Sequence, residues 1–181
     1  MILTRAAKVG ARRIIMSKDT LDLVKGRIEE KFEGAIVQAE LLYDFAVITL
    51  EADRTHAVLQ FLKEDAELNF HFLTDLTGMQ TADEKQLGVI YHLHNMPKNI
   101  RVRIKTFFDM SKPEIPTVTD LWEASNWMER ETYDFYGVRF IGHPNLKRIL
   151  NVDEMDIFPL RKEYPLEDQT REDKEDWNFG R

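Results

Sequence analysis

Residues 87–107 read LGVIYHLHNMPKNIRVRIKTF, and this stretch decides the class of fold. Leu87–Leu93 and Ile100–Phe107 have strand composition, and Pro97 and Asn99 mark a loop between them. In the second run Arg101, Arg103 and Lys105 alternate with Val102, Ile104 and Thr106. Successive strand side chains point to opposite faces, so one face is basic and the other apolar.

Working outward, Ser17–Phe32 reads as a helix. Asp19 or Thr20 is placed to cap it, Leu21, Val24, Ile28 and Phe32 form its stripe, and Gly34 stops it. Ala35–Leu42 and Phe45–Leu50 read as a hairpin around Tyr43-Asp44. Asp53 is placed to cap a second helix over residues 54–65, with Ala57, Val58, Phe61 and Leu62 facing the sheet. Phe70–Leu76 reads as a strand and Thr77-Gly78 as a turn. Pro113 and Pro116 interrupt the chain, and Thr117 with Asp120 resembles a capping box opening a third helix. On that helix Leu121, Ala124, Met128, Thr132 and Phe135 make the expected core stripe. The order of elements predicts an α+β fold: a single domain with a mixed four- to five-stranded sheet packed by about three helices, plus an extended C-terminal tail.

Three segments follow. Residues 1–16 carry Arg5, Lys8, Arg12 and Arg13 without an acid, and are expected to be a disordered basic extension rather than a transit peptide. Residues 17–162 form the folded domain. Residues 163–181 form an acidic arm, with seven acids against three bases and with Trp177 and Phe179 stranded among them. These two aromatics suit an arm that orders on a partner.

Composition excludes several functions. A net charge of −7 over 181 residues argues against a nucleic-acid binder. No apolar run reaches the roughly 20 residues of a membrane-spanning helix. The chain has no cysteine, which removes disulfides and thiolate ligation of zinc or iron–sulfur clusters. Its glycines form no phosphate-binding loop. His92 and His94 share a strand face, with His71 as a third candidate, but two histidines do not make a metal site and a structural role is expected.

The densest chemistry lies in Glu129–Arg161, ERETYDFYGVRFIGHPNLKRILNVDEMDIFPLR. On the helical wheel Glu129 falls among Trp122, Tyr133 and Tyr136, where a carboxylate needs a cation or donors. Arg130 and Asp134, four apart, are placed to pair. With no nucleophile nearby, His143 at the Gly142-His143-Pro144 corner is expected to bond backbone or carboxylate. No catalytic set emerges. The stretch reads as a docking element, with Glu129, Arg130, Glu131, Asp134, His143, Arg148, Arg161 and Lys162 as its candidate contact residues.

The run Glu129-Arg130-Glu131-Thr132-Tyr133-Asp134-Phe135-Tyr136, followed by His143, Lys147, Ile149 and Leu150, resembles the signature of the thirty-kilodalton hydrophilic subunit family of NADH-quinone oxidoreductase (respiratory complex I). Phe72–Gly78, Tyr91-His92-Leu93, Ile115–Val118, Leu121-Trp122 and Pro159–Pro165 extend the resemblance across roughly residues 30–168. The chain departs from the family at Asp156-Ile157-Phe158, where a Gly-His type of step is common. The resemblance implies a non-catalytic subunit of the peripheral arm, on the cytoplasmic side of the bacterial membrane, with no cofactor of its own. Its implied partners are the large quinone-site subunit and the subunit bearing the terminal iron–sulfur cluster. NADH, FMN, iron–sulfur clusters and quinone would be used by the assembled, proton-translocating complex. Related subunits of ferredoxin-linked dehydrogenases and membrane-bound hydrogenases are the alternative.

Overall fold

The computed structural model describes residues 2–164, with side chains described from Ser17 onward. The expected hairpin forms as β1 (Ile36–Leu42) and β2 (Phe45–Leu50). Its two turn residues, Tyr43 (φ 48°) and Asp44 (φ 64°), both take the left-handed conformation, which matches the twist of the flanking strands. Three longer strands follow α2 (Ala52–Glu64): β3 (Phe72–Gln80), β4 (Gln86–Asn95) and β5 (Ile100–Asp109). They assemble in the order β1-β2-β5-β4-β3. All neighbours are antiparallel except β2 and β5, so the sheet is mixed. A small parallel pair, β6 (Glu114–Pro116) with β7 (Arg139–Ile141), lies outside it.

The alternation on β5 is realised. Val102, Ile104, Thr106 and Phe108 are buried, whereas Arg101 is exposed and Arg103 and Lys105 are half-buried. On the buried face they join Leu87, Val89, Tyr91 and Leu93 of β4. Helix α1 (Ile2–Lys31) packs there on β1, β2 and β5 through Val24 and Ile28, both 0% exposed. Burying each such side chain contributes about 1.5–3 kcal/mol. Helix α2 adds Val58, Leu59, Phe61 and Leu62, and α3 (Ser125–Tyr136) covers β3.

Four local expectations change. The helix expected from Ser17 is the second half of α1, whose backbone is helical from Ile2, so Asp19 and Thr20 lie within it rather than at its start. The expected Asp53 cap is likewise absent, because α2 begins at Ala52 after Glu51 with no side-chain cap. Thr77-Gly78 is not a turn but the middle of β3, with Gly78 paired to Val89. That glycine is required by proximity, since a Cβ there would lie 2.5 Å from the Tyr136 ring and 3.0 Å from Thr132 Cγ2. Finally, the third helix starts at Ser125 rather than near Thr117, because the Thr117 hydroxyl is taken by the Thr119 N–H and by Glu129.

Candidate docking site on α3 and its strap

Helix α3 ends at Gly137, whose φ of 73° needs glycine and whose N–H bonds the Tyr133 carbonyl. After β7 the chain runs without regular structure from Gly142 to Tyr164 as a strap along α3. This strap explains why the core stripe differs from the expected one. The fully buried positions of α3 are Ser125, Glu129, Thr132 and Asp134, because the helix is covered by β3 on one side and by the strap on another.

Asp134 is the anchor. Its carboxylate accepts the N–H groups of Ile149 (3.0 Å), Leu150 (2.8 Å) and Asn151 (2.9 Å), the Asn151 amide (3.1 Å) and Arg148 Nη1 (2.8 Å). Burial works against its charge. The Asn151 N–H, the Arg148 guanidinium and the other two N–H groups outweigh it and hold the carboxyl well below the usual range. Arg148 in turn donates to the carbonyls of Asp134, Met155 and Ile157, tying the far end of the strap to the helix.

The expected Arg130–Asp134 pair does not form. Arg130 donates to the carbonyls of Lys147 (3.1 Å) and Arg148 (3.1 Å), which fixes the same bend from the other side. Arg161 donates to the Tyr136 carbonyl (2.7 Å) at the helix C-terminus, where a cation also suits the helix dipole. The Phe158 ring sits under both guanidinium groups, 5.1 Å from Arg148 and 4.6 Å from Arg161, and edge-on to Tyr133 at 6.2 Å. Phe158 lies in the tripeptide where the chain departs from the family pattern. Sequence reasoning missed it because a ring placed against two arginines leaves no periodic signal.

Of the expected cation or donors, Glu129 meets donors. Val118 N–H (2.7 Å) and Thr117 Oγ1 (2.6 Å) donate to its carboxyl, which joins the loop after β6 to α3. Burial dominates over these bonds and over Ser125, and pushes the group up to about 7. His143 bonds backbone, as expected: Nε2 contacts the Asn126 carbonyl (3.1 Å) and Nδ1 accepts the Asn145 N–H (3.0 Å). Lys162 donates its N–H to Gln80 Oε1 and its Nζ to the Thr81 carbonyl, so the strap ends against the tip of β3. Glu131 is exposed, beside a hollow of about 80 Å³ lined by Thr77, Gly78, Tyr136 and Leu160.

Outward, the strap exposes four apolar side chains among charged ones such as Lys147, Asp153, Glu154 and Asp156. Leu150 (66% exposed), Val152 (63%), Ile157 and Leu160 face solvent, with Trp127 and Ile141 exposed on neighbouring elements.

The chain matches the family described as "Respiratory-chain NADH dehydrogenase, 30 Kd subunit" over residues 48–170. It belongs to that family. The matched region takes in β3, β4, β5, α3 and the whole strap. The C 2 subunit of NADH-quinone oxidoreductase from Rhizobium etli is 37% identical over 145 residues, 80% of this chain and 77% of the relative. The C subunit of the same oxidoreductase from Citrifermentans bemidjiense is 35% identical over 147 residues, covering 81% and 90%. The trypsin-resistant fragment (1–134) of Nqo5 superposes with a TM-score of 0.58 at 25% identity, over 71% of this chain and 98% of the fragment. A chain of the archaeal membrane-bound sulfane sulfur reductase, at 24% identity, shares the fold with a TM-score of 0.68, over 82% and 86%.

Among the described residues no three His, Asp or Glu side chains come together to hold a metal ion. His92 accepts a bond from Arg103 Nε (3.2 Å), and His71 bonds the Asn69 carbonyl. No helix among them is long and apolar enough to cross a membrane.

Proposed function

We propose that this chain is a non-catalytic structural subunit of the peripheral arm of a proton-translocating NADH:quinone oxidoreductase, docking through α3 and its strap. The observation that carries the reading is the division of labour along residues 142–164. Backbone groups of the strap and its Arg148 turn inward to Asp134 and Arg130, while Leu150, Val152, Ile157 and Leu160 turn outward together with charged residues such as Asp153 and Glu154. Exposed apolar side chains held in one shape by buried polar bonds suit an interface, because preorganisation lowers the entropy cost of binding. The docking charges then act by two routes. Glu129, Arg130, Asp134, Arg148 and Arg161 shape the strap, and Glu131 beside it faces the partner directly.

The proposed partners are the large subunit lining the quinone site and the subunit with the terminal iron–sulfur cluster. The chain itself holds no cofactor, and NADH, FMN, clusters and quinone belong to the assembled complex at the cytoplasmic face of the membrane. Two measurements test this. The paired substitution Leu150→Asp and Val152→Asp, both exposed, is expected to leave circular dichroism unchanged and to abolish co-purification with the other subunits. Normal incorporation of that variant would overturn the docking surface. NADH oxidation by the purified chain alone would overturn the structural role.

A further inference from the structure

Four residues between Glu129 and Asp134 are charged, and three of them are satisfied inside the fold. Glu129 is met by Val118 and Thr117, Arg130 by the carbonyls of Lys147 and Arg148, and Asp134 by Arg148 and the strap amides. Glu131 is exposed and makes no hydrogen bond or ion pair among the described residues. It stands at the rim of the hollow of about 80 Å³, which β3 bounds at Thr77 and Gly78, α3 at Phe135 and Tyr136, and the strap at Leu160. Arg161 and Lys162, next in sequence to Leu160, are engaged elsewhere. Arg161 bonds the Tyr136 carbonyl and pairs with Glu163 at 3.5 Å, and Lys162 bonds the Thr81 carbonyl. Pockets that take a small molecule measure about 300–1,000 Å³, so this hollow is sized for one side chain instead. Two rings and a leucine suit an aliphatic stem, aromatic faces attract a cation, and the free carboxylate suits a positive head.

We propose that this hollow is a socket for one arginine or lysine side chain of a partner subunit, with its stem against Phe135, Tyr136 and Leu160 and its charged head on the Glu131 carboxylate. The proposal rests on the docking role of α3 and the strap, and it specifies what the partner must present there. Two observations favour a partner subunit over a second copy of this chain. The first is continuity. Leu160, 48% exposed, belongs both to the hollow and to the outward row of Leu150, Val152 and Ile157, so a partner that covers the strap also closes the socket. The second is charge. Two copies at −7 each repel, whereas a cation on a partner answers a carboxylate that the fold leaves without a counter-charge. Covering matters to the energetics. An ion pair open to solvent contributes little, but one sealed under a partner sits in a lower dielectric, where the attraction between the charges is stronger. Burial of the stem against the rings and Leu160 offsets part of the desolvation of the head.

The test uses the assembled oxidoreductase carrying variants of the full-length chain, with release of this subunit followed in time. Glu131→Gln is expected to speed release at least about thirtyfold, the scale for truncating one partner of a covered charge pair, and Glu131→Lys to speed it further. Glu33→Lys makes the same change of charge at an exposed residue just after α1, on the side of the sheet away from α3, and should leave release unchanged. The isolated Glu131 variants should melt with the wild type, since that carboxylate makes no bond in the fold. Wild-type release of both Glu131 variants would overturn the socket. If the Leu150→Asp, Val152→Asp variant were still excluded from the complex, the docking surface would stand and the socket alone would fall. The chain has no cysteine, so Glu131→Cys accepts a single benzophenone label. Irradiation of the assembled complex is expected to join it to another subunit at or beside an arginine or lysine. A cross-link to this chain itself, to a second copy, to a partner peptide without a basic residue, or to nothing would overturn the proposal.

Discussion

Asp134 and Arg148 form an ion pair 2.8 Å long with 0% and 7% of their side chains exposed, and it joins α3 to the strap. Removing one partner of such a pair leaves a buried charge without compensation, at a cost of about 3–5 kcal/mol. Arg148→Ala is therefore expected to lower stability to urea by that amount. Arg27→Ala, at the partly exposed pair with Asp65, should cost less. Equal effects in a denaturation series would contradict the anchor.

Acid should release the same anchor. The folded Asp134 carboxyl titrates below its unfolded value, so its contribution is complete above about pH 4 and fades as the pH falls further. Hydrogen exchange at the amides of Ile149, Leu150 and Asn151, measured stepwise below pH 4, should rise before exchange in β4 and β5 does.

Glu129 has the opposite sign. Its folded value, about 7, lies above that of an unfolded carboxyl, so between roughly pH 4.5 and 7 the unfolded chain loses a proton the folded chain keeps. Its contribution to stability falls across that window, by at most about 3 kcal/mol, and is level above it. Glu129→Gln retains the bond from Val118 and should remove this decline. Thermal melts of both proteins at pH 5, 6 and 7 check it, and parallel curves would refute the assignment.

Glu129→Ala should destabilise the isolated chain, because it strips the acceptor from the Val118 N–H and Thr117 while leaving a cavity. The expected loss is about 1–3 kcal/mol. An isolated variant with wild-type stability would mean that these charges serve the partners alone.

Gly78→Ala tests the contact of α3 with β3. The added methyl meets the Tyr136 ring, and overpacking of this kind costs typically about 1–3 kcal/mol. Gly26→Ala meets nothing within 4 Å and, on a helix, should be neutral or stabilising. A chemical denaturation pair distinguishes them.

Much of the fold was legible because period-2 and period-3.6 patterns report on one buried face per element. Val102, Ile104 and Thr106 against Arg101, Arg103 and Lys105 announced a one-sided sheet, and Val24 with Ile28 announced the helix on it. The pattern failed on α3, where Ser125, Glu129, Thr132 and Asp134 are buried and are all polar. A helix covered on two sides by different partners has no single stripe, and a buried carboxyl looks the same in sequence as an exposed one. Gly78 failed similarly, since a glycine demanded by a neighbouring helix is indistinguishable from one demanded by a turn.

The sequence by itself determined the α+β class, the two-faced β5 strand, the hairpin at Tyr43-Asp44 and, through Glu129–Tyr136 and the blocks around it, the family. Those properties are local in the chain. Only the tertiary structure decided which groups the charges of 129–162 meet. Asp134 lies 14 to 17 residues from its partners, Glu129 lies 11 or 12 from its donors, and Lys162 lies 82 from Gln80. A hydrogen bond depends on distance in space, which the spacing of residues along a chain does not encode once the chain has turned back on itself.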